Sequence, residues 1–278
     1  MYTSIFEGTM VNMNWQEVEK AGAQKQPVLF PIGVIEEHGP HIPLGSDIYW
    51  SYAMCRMVKE KLKSLNKECV IAPPYYWGVN HCTGAFPGSF SLKPETMKLV
   101  FLELLKNLKE FGLEEIYCFN YHGDAKHIRT ITEALQRARL ELGLNGRLVL
   151  EEMDLGLHGW QGQEDFLLVT SPPYPMEWFQ ELEPDEQGKF DIHAGAFETA
   201  VMHRFVPELV DLEKAKLLKS ASLSREGLKK WLQGGEATKE VVPLGYAGNP
   251  AGYEAVCRHV EEMLQLQAED IASRIAHM

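Results

Sequence analysis

Apolar runs of strand length alternate with helical patterns along most of the chain. "PVLFPIGVI" (27–35) is apolar nearly throughout, the mark of a strand buried on both faces. "YWSYAMCRMVKEKLKSL" (49–65) predicts a helix, and "CVIAPPYYWG" (69–78) a second strand that runs into a proline-rich loop. In "PETMKLVFLELLKNLKEFG" (94–112), Met97, Val100, Phe101, Leu104, Leu105 and Leu108 recur with the 3.6-residue period. Pro94 suits the first turn of that helix and Gly112 its C-terminal cap. "EIYCFNYH" (115–122) and "RLVLEEMD" (147–154) predict further strands on either side of a helix over 125–143, and residues 251–278 predict a closing amphipathic helix. Strand–helix alternation with short connections predicts an α/β fold, a mostly parallel sheet with helices on both faces.

Residues 155–192 break this rhythm, with "GLHGWQGQ" and "SPPYPMEWFQELEPDEQGKFD". Long irregular segments inside a domain are often binding loops. Trp160, Tyr174, Trp178 and Phe179 favour a lid or substrate segment over a plain surface excursion.

In parallel α/β sheets, ligands bind beyond the carboxyl ends of the strands. Three segments place metal-type donors at such ends: Glu36-Glu37-His38 followed by Asp47; His122, Asp124 and His127; and Asp191, His193 and Glu198. On an extended chain residues i and i+2 point the same way, so Glu36 and His38 share a site while Glu37 faces away. The Gly39-Pro40 turn then brings Asp47 back toward them. A lone loop histidine or aspartate is usually a cap or a solvated group. Five titratable residues within 36–47, directly after an apolar strand, strain that explanation. Mixed carboxylate and imidazole donors suit zinc, manganese or iron rather than calcium. His41 and His81 fit a supporting or substrate contact, or an ordinary loop histidine; His158, His203, His259 and His277 carry no assignment.

Charge and composition narrow the partners. The net charge of −12 argues against nucleic acid and anionic membrane and leaves room for a metal or a small-molecule substrate. Five cysteines, an odd count without CxxC spacing, argue against a disulfide framework or a thiolate zinc site. With no signal-peptide pattern and no apolar run near ~20 residues, the expected setting is cytoplasmic. GxGxxG, GxxxxGK[ST], GxSxG and HExxH are all absent.

"PIGVIEEHGPHIPLGSD" (31–47), "FPGSFSL" (86–92), "FNYHGDAKH" (119–127), "HAGAFETA" (193–200) and "PLGYAGNPAGYEAV" (243–256) together resemble, in order, the motifs of the creatininase (creatinine amidohydrolase) family. The resemblance implies a single domain over 1–278, a three-layer α/β/α sandwich, two divalent metal ions per chain (Zn, Mn or Fe) and a homo-oligomer, often a hexamer. It places Glu36, His38, Asp47, His122 and Glu198 as metal ligands, Asp47 bridging, with either Glu198 or Asp124 completing the second metal site. His193 and Asp124 take the catalytic roles, and Tyr121, Asn80 and Trp178 contact substrate. The implied reaction is hydrolysis of a C–N bond other than a peptide bond, in a cyclic amide or formamide, by a metal-bound hydroxide. Hydrolysis of a keto-sugar or keto-cyclitol ring, or a non-catalytic metal-binding role, are the alternatives. Glu37 replaces the family's glutamine, Tyr121 its glycine before the histidine, and Asp124 is one methylene shorter than the ligating glutamate of creatininase.

Overall fold

The structure is a computed structural model that describes residues 4–175, 178 and 191–278. Five strands, β1 (Val28–Ile32), β2 (Val70–Ile71), β3 (Glu115–Asn120), β4 (Asn145–Glu151) and β5 (Leu167–Thr170), pair in parallel in the order β2-β1-β3-β4-β5. Among the described residues the complete α-helices are α1 (Trp15–Ala23), α2 (Ser46–Ser64), α3 (Pro94–Glu110), α4 (Ala125–Leu142), α5 (Leu155–His158), α6 (Ala196–Phe205), α7 (Leu212–Leu217), α8 (Arg225–Trp231), α9 (Glu236–Val241) and α10 (Tyr253–Ala276).

Side-chain alternation along the strands builds two cores. Leu29, Tyr117 and Phe119 face α2, α6 and α10. Val28, Phe30, Ile32, Ile116 and Cys118 face α3 and α4 on the opposite side. The result is three layers, α/β/α. Of the helix positions read from periodicity, Met97, Phe101, Leu105 and Leu108 are buried in α3, each worth about 1.5–3 kcal/mol of apolar burial. Val100 and Leu104 instead lie on its outer edge.

Several boundaries differ from the sequence pattern, for identifiable reasons. β2 is two residues long because Pro73 and Pro74 have no N–H to donate; pairing resumes only at the Ile32–Tyr75 bridge. β1 ends at Ile32, so Glu36 and His38 stand on a loop rather than on the strand. The irregular segment 155–192 contains α5 and the sheet's edge strand β5, whose four residues are too few to show a period. Within that segment, residues 176–177 and 179–190, Phe179 among them, lie outside the described residues. Among the described residues no helix is long and apolar enough to cross a membrane.

The chain leaves β1 to one side for β2 and returns to the other side for β3. The gap between the carboxyl ends of β1 and β3 is therefore the topological switch point, where open α/β sheets bind ligands. Gly33 brings α2 down onto it: a Cβ there would lie 2.9 Å from the Ile48 amide nitrogen and 3.1 Å from Asp47 Cβ.

Candidate metal centre

Four elements deliver the donors to this gap. The loop after β1 carries Glu36 and His38, the first turn of α2 carries Asp47, the turn after β3 carries His122, and the first turn of α6 carries Glu198. His193 precedes α6 and is clamped by a two-way backbone bridge to Ala247. Glu36, His38, Asp47, His122 and His193 are all buried, while the Glu198 side chain keeps 21% exposure. Two trios, Glu36–Asp47–His122 and Glu36–His38–His193, each have donor atoms within 4.8 Å of one another.

Hydrogen bonds on the far side of each imidazole decide what the near side offers. His38 Nδ1 donates to the Glu36 carbonyl (3.2 Å), which leaves Nε2 as the lone-pair nitrogen. That Nε2 lies 3.3 Å from Asp47 Oδ1 and 3.9 Å from both Glu36 Oε1 and Glu198 Oε2. His122 Nε2 donates to the Val79 carbonyl (3.1 Å), which leaves Nδ1 facing Glu36 Oε1 at 2.8 Å and Asp47 Oδ2 at 3.3 Å. The neutral rings therefore point lone pairs at carboxylate lone pairs. Asp47 Oδ2 is buried without a hydrogen-bond donor. Only a proton or a cation between these atoms resolves that, so the donor set fits a metal ion. Asp47 turns one oxygen to each imidazole, the arrangement a bridging carboxylate needs.

Without an ion, protons take its place. Burial alone would lower His38, but Asp47 and Glu36 outweigh it and hold the imidazole up at about 9. His122 is likewise raised well above the usual range, its burial overcome chiefly by Glu36 and Asp47. Burial would raise both acids, yet His122 keeps Glu36 low and His38 keeps Asp47 well below the usual carboxylate range. Two imidazolium protons thus stand where a dication's charge would. Burial raises Glu198. His193, despite burial, is pushed up to about 10, first by Glu36 and then by Glu37.

The other expected site residues fall in different places. Asp124 is the N-cap of α4: Oδ1 accepts the Lys126 and His127 amides (2.8 and 3.3 Å) and Oδ2 those of His81 and Cys82 (2.6 and 3.3 Å). With both oxygens on backbone amides, it is held out of the donor cluster. Tyr121 stacks on Trp50 (4.4 Å, 13°) and Trp178 on His259 of α10 (5.0 Å, 19°); these contacts lie outside the cluster. Asn80 is beside it: Thr83 Oγ1 contacts both Asn80 Oδ1 and Glu36 Oε2, leaving the buried Asn80 Nδ2 unpartnered. His41 is a supporting group, its Nε2 2.8 Å from Thr199 Oγ1 in α6. Glu37 does turn from Glu36 and His38, but inward: Oε2 accepts the Gly39 amide, and His193 Nε2 lies 3.5 Å from Oε1 and 2.8 Å from the Glu37 carbonyl.

Trp231 and Thr83 are further neighbours that sequence reading passes over. Trp231, at the end of α8, sits against His193 (5.4 Å), and His193 against His38 (4.5 Å). Trp231 also belongs to a small core with Leu223, Val242 and Ala247, packed on Cys82 and Phe86. No local pattern reveals either contact, because the partners come from segments distant in the chain.

Fold and site together define an α/β protein with a buried carboxylate–imidazole centre at its switch point. The family profile described as "Creatinine amidohydrolase" matches residues 11–275. Creatinine amidohydrolase of Pseudomonas putida is 26% identical over 231 residues, 77% of this chain and 76% of that protein. Mycofactocin precursor peptide peptidase of Mycobacterium ulcerans is 26% identical over 90% of this chain and 84% of its own. A shorter match, 25% over 40% of this chain and 34% of its partner, is to 3-dehydro-scyllo-inosose hydrolase of Thermotoga maritima. A mutant creatininase structure superposes with a TM-score of 0.69 at 21% identity, covering 99% of this chain and 98% of that one. Other matching creatininase structures are described as a Zn–Zn form and a Mn form. The chain belongs to the creatininase family and is a metal-dependent hydrolase.

Proposed function

We propose that the chain is an amidohydrolase that cleaves a C–N bond in a small molecule, a cyclic amide or a formamide. The observation that carries this reading is the pair of imidazoles whose outer N–H groups are spent on backbone carbonyls and whose inner nitrogens meet Glu36 and Asp47. Glu36, His38, Asp47, His122 and Glu198 would hold two divalent ions, with Asp47 shared between them. Zn, Mn or Fe suits this donor set, and the Zn–Zn and Mn forms of solved creatininases support it. Bound there, such ions supply Lewis acidity toward a carbonyl and a water of lowered pKa.

The chain's own groups do the rest. Asn80 Nδ2, buried and unspent, donates a hydrogen bond to the substrate. His193 spends its Nε2–H on the Glu37 carbonyl; raised to about 10, the ring is an imidazolium, and its second proton, on Nδ1, is the one that passes to the leaving nitrogen. Glu198, the most accessible carboxylate of the cluster, orients the attacking water and accepts its proton. Trp231, buried against His193, limits water there. A cytoplasmic setting is supported by five free cysteines. A homo-oligomer is supported by the exposed Leu44, Trp77 and Phe90, the last two in ring contact at 5.7 Å.

The second reading, ring hydrolysis of a keto-cyclitol, is favoured by the match to the inosose hydrolase. A panel of cyclic amides, formamides and keto-cyclitols, assayed with chelated and with Zn- or Mn-loaded protein, separates the two. Metal-dependent amide turnover is expected. Turnover of keto-cyclitols alone would replace the first reading with the second, and no metal-dependent hydrolysis of any kind would remove both.

A further inference from the structure

We infer that His127 is a positioning residue of this centre, setting through Val79 and Asn120 which ring nitrogen His122 presents to Glu36 and Asp47. His127 lies in the first turn of α4 and is fully buried. Its Nδ1 accepts the Val79 N–H (3.2 Å), so its proton is on Nε2, which donates to Asn120 Oδ1 (3.1 Å). Asn120 Nδ2 donates to the His122 carbonyl (2.8 Å), and His122 Nε2 donates to the Val79 carbonyl (3.1 Å).

These four bonds close a ring: His122 side chain, Val79 peptide, His127 side chain, Asn120 side chain, His122 main chain. Each of the four residues gives one hydrogen and takes one. With both imidazoles neutral, as a ligating ring must be, only one placement of the protons satisfies all four, and it leaves His122 Nδ1 as the lone pair toward Glu36 (2.8 Å) and Asp47 (3.3 Å). Reversing either imidazole would leave buried polar groups unpaired.

The surroundings are shaped to the ring. At Gly78 a Cβ would lie 2.3 Å from His127 Cε1 and 2.4 Å from its Nδ1, so any other residue would push the imidazole off Val79. Asp124 ties the same two pieces together, holding the His127 amide with Oδ1 and the loop amides of His81 and Cys82 with Oδ2. His127 stands edge-on to His122 at 5.0 Å and belongs to neither metal-donor trio. Partners behind a ligating histidine typically govern its affinity by about 10–100-fold.

The inference rests on reading the cluster as a metal centre, and the test separates the two. Zn(II) dissociation constants are measured by chelator competition for wild type, His127→Phe and His127→Gln. The Gln amide can accept from Val79 and donate to Asn120 as the imidazole does. His127→Phe is expected to bind Zn(II) about 10–100-fold more weakly, with most of the loss recovered in His127→Gln. Wild-type failure to bind Zn(II) would sink the metal reading. A folded His127→Phe within about 3-fold of a tight-binding wild type would sink the role given to His127.

Histidine-ring 15N NMR of the wild-type protein decides the matter even where His127→Phe does not fold. A neutral His127 with its proton on Nε2, and a His122 whose Nδ1 alone shifts on adding Zn(II), is the expected spectrum. A His127 proton on Nδ1, or zinc on His122 Nε2, would overturn the inference.

Discussion

Metal uptake should be a contest with protons, and the structure sets its size. In the metal-free chain His38 is held at about 9, and His122 is also raised. A ligating imidazole must be neutral, so at pH 7 each ion displaces protons. For His38 the gap is about two pH units, which costs about 3 kcal/mol or roughly 100-fold in apparent affinity. If both imidazoles are displaced, the apparent constant should steepen to about 100-fold per pH unit below pH 8.

The same shift sets the sign of stability. A raised histidine pKa contributes stability to the metal-free fold that is fully present below about 6.5 and fades as pH rises through about 9. The chelated protein should therefore lose about 3 kcal/mol over that window, while the loaded protein should not. Calorimetric titration of Zn(II) in buffers of different ionisation enthalpy counts the protons released, and melting curves at pH 6.5 and 9 give the stability gap. Uptake with no proton release between pH 6 and 8, and a gap that does not widen with pH, would refute this.

Asp47→Ala should empty the centre, because Asp47 gives one oxygen to each imidazole, whereas Glu37→Gln should leave metal content nearly unchanged; equal losses by elemental analysis would contradict the assignment. His193→Ala should keep its metal and lose about 10²- to 10⁴-fold in turnover, and Glu198→Ala should weaken metal binding; loss of metal from His193→Ala would make His193 a ligand through its trio with Glu36 and His38. His193→Asn within a few-fold of wild type would exclude proton transfer by His193. Asp124→Ala should cost about 1–2 kcal/mol of stability, read as a lower Tm, with metal content kept; loss of metal without loss of stability would return Asp124 to the ligands.

The centre was legible where its donors are consecutive. Glu36, His38 and Asp47 sit in one motif between an apolar strand and a helix, so spacing alone brings them together. His122, His193 and Glu198 join them through strand order and the seating of α6, which the family motifs report but periodicity does not. Asp124 carries the opposite lesson: an aspartate directly before "AKHIRTITEAL" is an N-cap signal, and the helix used it as one. β5 escaped because four residues show no period, and β2 because prolines cut it short. His127 and Trp231 act through contacts between distant segments.

The claim on which everything else depends is that this chain holds transition-metal ions in order to hydrolyse an amide. Elemental analysis of the purified protein, coupled to turnover on the amide panel before chelation, after chelation and after reloading, tests it directly. One to two ions of Zn, Mn or Fe per chain, with hydrolysis lost and regained in step with them, is the predicted result. No metal as isolated and no uptake on reconstitution, or amide hydrolysis indifferent to chelation, would contradict it.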